Sequence, residues 1–122
     1  MILTEYASGL GASKPLTEMR LSITVDERYH LQLKELKDGR ILIRTRLQSL
    51  PEAGAARDEL LKRCGKLICG RVLKAQVACT VDSQERAIWL QQACNAASTQ
   101  DLDEEVGAFV NELAFWTSAL AA

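Results

Sequence analysis

Residues 85–116 read ERAIWLQQACNAASTQDLDEEVGAFVNELAFW, and the pattern of this stretch changes partway along. Over 87–94, Ile88 and Leu90 fall on one side and Trp89 on the other, the two-residue period of a strand. From Leu102 onward the apolar residues are Leu102, Val106, Phe109, Val110, Leu113 and Trp116, continued by Leu120. That is the spacing of one helix face, and at about 100° per residue these positions share a sector of about 120°. Ser98 followed by Asp101 resembles a capping box, with Asp in place of Glu or Gln. Asp103, Glu104 and Glu105 lie in the early turns, where the helix dipole favours negative charge. A strand therefore runs directly into a long amphipathic helix. Phe115 lies almost opposite the apolar stripe. Alone it is a tolerated exposed aromatic; in a protein that holds another chain it is a candidate contact.

Upstream, the two-residue period recurs. In RLSITV (20–25), Leu21, Ile23 and Val25 alternate with Arg20, Ser22 and Thr24. In YHLQL (29–33), Tyr29, Leu31 and Leu33 alternate with His30 and Gln32. In ILIRTRL (41–47), Ile41, Ile43 and Leu47 share a face with Thr45, while Arg44 and Arg46 point the other way. These strands predict a sheet buried on one face. Asp38-Gly39 marks a hairpin turn between the second and third. LKAQVACTV (73–81), turned by DSQER (82–86) into AIWLQQAC (87–94), predicts a second hairpin. Between the groups, SLPEAGAARDELLKRCGKLICG (49–70) reads as a helix with Pro51 in its first turn and the stripe Leu60, Leu61, Cys64, Leu67 and Ile68. Gly65 lowers its helicity and Gly70 could stop it. At the start, Ile2, Leu3, Tyr6 and Leu10 have helical spacing before GLGASKP (9–15) breaks the pattern. The expected order is α-βββ-α-ββ-α. It defines an α+β fold, an antiparallel twisted sheet whose hydrophobic face is covered by the first and last helices. The length fits one domain, 1–122.

Several function classes lack support. No apolar run approaches the roughly 20 residues of a membrane span. MILTEYASGLG lacks the basic and apolar regions of a signal peptide, so a cytoplasmic setting is expected. GxxxxGK[ST], GxGxxG, HExxH and GxSxG are all missing. The one histidine, His30, falls on a polar strand face, and Glu104–Glu105 read as dipole partners. Cys64, Cys69, Cys79 and Cys94 form no CxxC pair, which disfavours zinc and leaves buried thiols acting as small hydrophobes. Neither catalysis nor a cofactor or metal is expected. Charge is uneven: residues 34–74 hold 11 basic and 5 acidic side chains (11 − 5 = +6), and residues 82–122 hold 1 and 7 (1 − 7 = −6). The basic middle could attract phosphate or an acidic partner. Solvated outer faces explain it better, because no aromatics interleave with the cations. A nucleic-acid-binding sheet would expose stacking aromatics. Among the outward positions, which include Arg20, Gln32, Lys34, Arg44 and Arg46, only Trp89 is aromatic.

The element order resembles that of class I type III secretion chaperones, the Tir-chaperone/CesT-like family, over nearly the whole chain. Residues 85–116 look like the family's last strand, acidic helix start and apolar helix ending near an aromatic. DGRILIRTRLQSLPE (38–52) looks like its third strand running into its second helix. The first helix is shorter than usual for the family, and the centre is more basic. The resemblance implies a small cytoplasmic bacterial homodimer without ATPase activity. It would bind the N-terminal segment of a secreted effector, keep it non-globular and deliver it to the secretion apparatus, with the secretion ATPase as a further candidate partner. It would neither enter the membrane nor bind nucleic acid. An extended segment can add strands to sheet edges and cover apolar patches.

By the same resemblance, the second helix and following strand pair form the dimer interface, which nominates Leu60, Leu61, Cys64, Leu67 and Trp89. The first helix and neighbouring strand surface hold the effector, which nominates Ile2, Leu3, Tyr6 and Leu42; Phe115 joins them from its place on the last helix. Core packing accounts for the helix stripe residues about as well. Leu42 and Trp89 stand apart, being apolar on otherwise polar strand faces. A partner-sequestering regulator on the same fold is the alternative, ahead of a small basic-patch nucleic-acid binder.

Overall fold

A computed structural model describes residues 3, 5, 6, 20–71 and 76–121. The alternating segments form strands β1 (Arg20–Val25), β2 (Tyr29–Glu35), β3 (Ile41–Ser49), β4 (Ala78–Asp82) and β5 (Ala87–Cys94). The segments with helical spacing form α1 (Ala55–Arg71) and α2 (Thr99–Ala121). Leu3, Glu5 and Tyr6 are also helical, while Ile2 and Leu10 lie outside the described residues. The fold is α+β: one five-stranded sheet in the order β1-β2-β3-β5-β4, with every pairing antiparallel.

The inner face follows the period of two. Leu21, Leu31, Leu33, Ile41, Ile43, Ile88 and Leu90 are buried there against Leu102, Val106, Phe109, Val110, Leu113 and Trp116 of α2. Leu3 and Tyr6 join this core, and the Tyr6 hydroxyl donates to Asp103 Oδ1 at 3.0 Å. Leu60 and Cys64 bring in α1, which packs on β4 and α2.

The turns follow local chemistry. Gly39 takes φ +90° at the predicted turn, and its amide donates to the Leu36 carbonyl. The β1–β2 turn has no glycine: Asp26 and Glu27 themselves adopt left-handed φ values of 54° and 56°, closed by the Arg28 amide on the Val25 carbonyl. At α2, Ser98 Oγ accepts from the Asp101 amide at 3.1 Å, and the Asp101 carboxylate reaches back to the Ala97 amide at 3.2 Å. This is a variant of the reciprocal cap expected there.

Helix α1 departs from expectation at both ends. It begins at Ala55, so Pro51 lies before it. Residues 49 and 50 serve the sheet instead: Ser49 pairs with Ala87, and the Leu50 amide donates to the Arg86 carbonyl. Gly54, at φ +146°, separates strand from helix. Gly70 does not stop α1, which continues through Arg71. The strand expected over 73–81 is shorter, Ala78–Asp82, and residues 72–75 lie outside the described residues.

Ser98→Ala removes the acceptor for one α2 amide and is expected to cost about 1 kcal/mol. Urea denaturation measures it, and an unchanged midpoint would show that the cap carries no weight here.

Candidate partner-binding surfaces

Helix α2 carries one acidic side chain inside its buried stripe. Glu112 is only 6% exposed. Arg71 donates to it through both Nε (3.0 Å, to Oε1) and Nη2 (2.7 Å, to Oε2), and the Trp116 indole donates to Oε1 at 3.2 Å. The hydrogen bonds from Arg71 hold the Glu112 carboxyl below its ordinary value although burial opposes them. The same bonds raise the Arg71 guanidinium. The guanidinium also lies over the Phe115 ring, 4.2 Å from its centroid, and Phe115 remains 40% exposed. Sequence reading passed over Glu112. The signal available was an acidic residue one turn before Trp116 in an apolar helix.

Burial raises the thiols of Cys64, Cys79 and Cys94. Burial, reinforced by Cys64, pushes the Cys79 thiol up to about 12, and burial with the nearby Glu105 charge pushes Cys94 up to about 11. Such thiols stay protonated at neutral pH. Cys69 is exposed, unlike the buried thiol expected, because it faces away from the α1 stripe. His30 is exposed and bonds Thr24 Oγ1 through Nδ1 at 3.1 Å. Among the described residues no three His, Cys, Asp or Glu side chains cluster as metal ligands, and no helix is long and apolar enough to cross a membrane.

The nominated residues separate into groups. Leu60, Cys64, Leu3 and Tyr6 are buried in the core of the single chain. Leu61 and Leu67 are half-buried along α1 and only pack against the core. Leu42 is half-buried on the outer sheet face, opposite Lys34 of β2 and Ala93 of β5. Trp89 is 8% exposed, yet it stands apart from the core cluster. Its cover is Arg44, whose guanidinium lies 4.1 Å from the ring centroid. Phe115 and Val81 are the large apolar side chains left exposed among the described residues. Among the described residues the sheet ends at β1 and β4, and each of these strands pairs on one side only.

Among the described residues the chain is thus an antiparallel sheet packed on one face by helices, with two open edges and two exposed large apolar side chains. The model of the Tir chaperone protein (CesT) family matches residues 2–117. The chain belongs to that family. Among solved structures, it is similar to a chain of the HopA1–SchA chaperone–effector complex, with TM-score 0.67 and 16% identity over 96% of this chain and 91% of that one. It is likewise similar to a chain of the ExsC–ExsE complex, with TM-score 0.70 and 18% identity over 97% and 90%. A third likeness is to the Yersinia pestis type III secretion chaperone SycH in complex with a fragment of YscM2, with TM-score 0.58 and 16% identity over 93% and 94%. At these identities the likeness concerns the fold. No curated protein sequence matches the chain.

The Glu112 site makes a pH prediction. A carboxyl whose folded value is depressed contributes stability that is complete above its unfolded value. That contribution is lost as pH falls from about the ordinary 4.5 through the lower folded value. Glu112→Gln is expected to flatten this acid limb in thermal unfolding measured across pH. An equally steep limb in the variant would assign it to other carboxylates.

Proposed function

We propose that the protein is a type III secretion chaperone that binds the N-terminal segment of an effector in the bacterial cytoplasm. It holds that segment non-globular and passes it to the secretion apparatus. The family match over residues 2–117 carries this reading. The action is binding, the role that the family match supports. The edges of β1 and β4, unpaired among the described residues, offer backbone donors and acceptors to an extended segment, and Val81 on β4, Leu42 on the outer sheet face and Phe115 on α2 offer apolar contacts. Leu3 and Tyr6 serve this surface indirectly, by fixing the first helix to the core. Ile2 is the neighbouring candidate for direct contact.

A homodimer forms through α1 in this reading. Leu60 and Cys64 anchor the helix inward while Leu61 and Leu67 present partly open apolar surface. Trp89 is already covered by Arg44 within one chain and adds little free area to that interface.

Two measurements test the proposal. Copurification from the native cell is expected to return a secreted protein whose N-terminal segment is protected from protease; a lone monomer would overturn the reading. Leu61→Glu sets an unpaired charge in the proposed interface. The variant is expected to sediment as a folded monomer, and a folded variant that stays dimeric would move the interface elsewhere.

A further inference from the structure

The outer face of the sheet carries a feature that neither the core nor the α1 interface explains. By strand register its positions include Arg20 on β1, His30, Gln32 and Lys34 on β2, Leu42, Arg44 and Arg46 on β3, Trp89, Gln91 and Ala93 on β5, and Thr80 and Asp82 on β4. Trp89 is more than nine-tenths buried there. Its indole Nε1 and the Nε of Arg44 are both buried donors without any acceptor. A buried donor left unpaired costs free energy that an incoming oxygen would recover. The two donors belong to side chains stacked on one another at 4.1 Å, so a single acceptor group could serve both after a small shift of Arg44.

We propose that this face binds an extended acidic segment of a partner protein, one carboxylate of which accepts hydrogen bonds from Arg44 and the Trp89 indole. Charge supports the choice of partner. The outer strand positions carry the cations Arg20, Lys34, Arg44 and Arg46 against one acid, Asp82. The Oδ1 of Asp82 is occupied by the amides of Gln84 and Glu85. Two copies of this face brought together by a two-fold axis would set cations against cations, which disfavours a second copy as occupant. Nucleic acid fits less well, because Trp89 is the one outward aromatic of the strands and Arg44 occupies its ring face. A planar carboxylate matches the arginine fork. Leu42 and Ala93 lie opposite each other two positions along from Arg44 and Gln91. They supply half-buried apolar contact for side chains that alternate with the acidic ones.

The proposal deepens the partner-binding reading but is independent of the α1 interface. The probe is a fluorescein-labelled peptide alternating Glu and Val, with a Gln/Val twin as control, followed by anisotropy on the full chain at low and high salt. The Glu peptide is expected to bind in a salt-dependent manner, and its Gln twin about tenfold more weakly. R44M is expected to lose about tenfold in affinity for the Glu peptide. W89F keeps a ring but lacks the donor and is expected to lose about fivefold; being the milder change, it serves if R44M does not fold. Equal binding of the two peptides, or unaltered binding by both variants, would overturn the proposal. So would displacement of the peptide by polyuridylate at equimolar concentration, or conversion of a dimer to a monomer by R44M. A chain that copurifies its native partner yet ignores the acidic peptide would sink this inference and leave the chaperone reading standing.

Discussion

Strand β3 pairs with β5 from Ile41–Cys94 to Ser49–Ala87, and the two halves of the chain meet along that ladder. The first half supplies a three-stranded meander, and the second a hairpin that continues into α2. This register puts Ile41 and Ile43 on the same face as Leu90 and Cys94, under the apolar stripe of α2. A slip of one residue would send every side chain of one strand to the opposite face, so burial fixes the register strongly. The irregularity between Arg46 and Gln48 shifts the phase once. After it Gln48 pairs with Ile88, whereas Arg46 pairs with Trp89 on the outer face. Thr45, buried on the inner face, donates to the His30 carbonyl at 2.7 Å, which meets the hydrogen-bond demand of its hydroxyl.

Helix α1 depends on a different contact. It touches the sheet mainly at β4, an edge strand, and its remaining hold is on α2. The Arg71–Glu112 pair secures its last turn, and the Arg63 guanidinium donates to the Ala119 carbonyl at 2.7 Å. A carboxylate buried in an apolar stripe is tolerable only with its oxygens occupied, and here three donors occupy them. Arg71, which makes this pair, is one residue past Gly70 and the last described residue of α1.

Much of the fold was legible because it rests on periodicity. The five strands, the capped last helix and its stripe of Leu102, Val106, Phe109, Val110, Leu113 and Trp116 all follow from the side-chain period. What was illegible depends on partners distant in sequence. Pro51 has a strong local meaning as a helix start, and the Ser49–Ala87 pairing draws the residues beside it into the sheet instead. Glu112 reads locally as one more helix-forming residue, since only the fold shows that Arg71 waits beside it. The candidate surfaces were legible in part. Leu42, Trp89 and Phe115 stood out by violating the pattern of their own elements. The burial of Leu60, Cys64, Leu3 and Tyr6 needed the tertiary structure, because a helical stripe looks the same whether it faces a core or a partner.

The two aromatics that break their elements' patterns share one arrangement. Arg44 lies over Trp89 at 4.1 Å and Arg71 over Phe115 at 4.2 Å. A cation over a ring contributes about 0.5–1 kcal/mol at an exposed site such as Phe115 and about 2 kcal/mol where the pair is desolvated, as at Trp89. Phe109 and Trp116 sit within the apolar core, while the cover of Trp89 and of Phe115 is a single charged side chain that an incoming chain can shift or extend. The covers differ in how firmly they are held. Arg71 is pinned by a buried carboxylate, so Phe115 keeps its cover and offers only its open side. Arg44 has a free Nε and no carboxylate partner within the described fold, so the Trp89 site is the one whose cover changes most when an acceptor arrives.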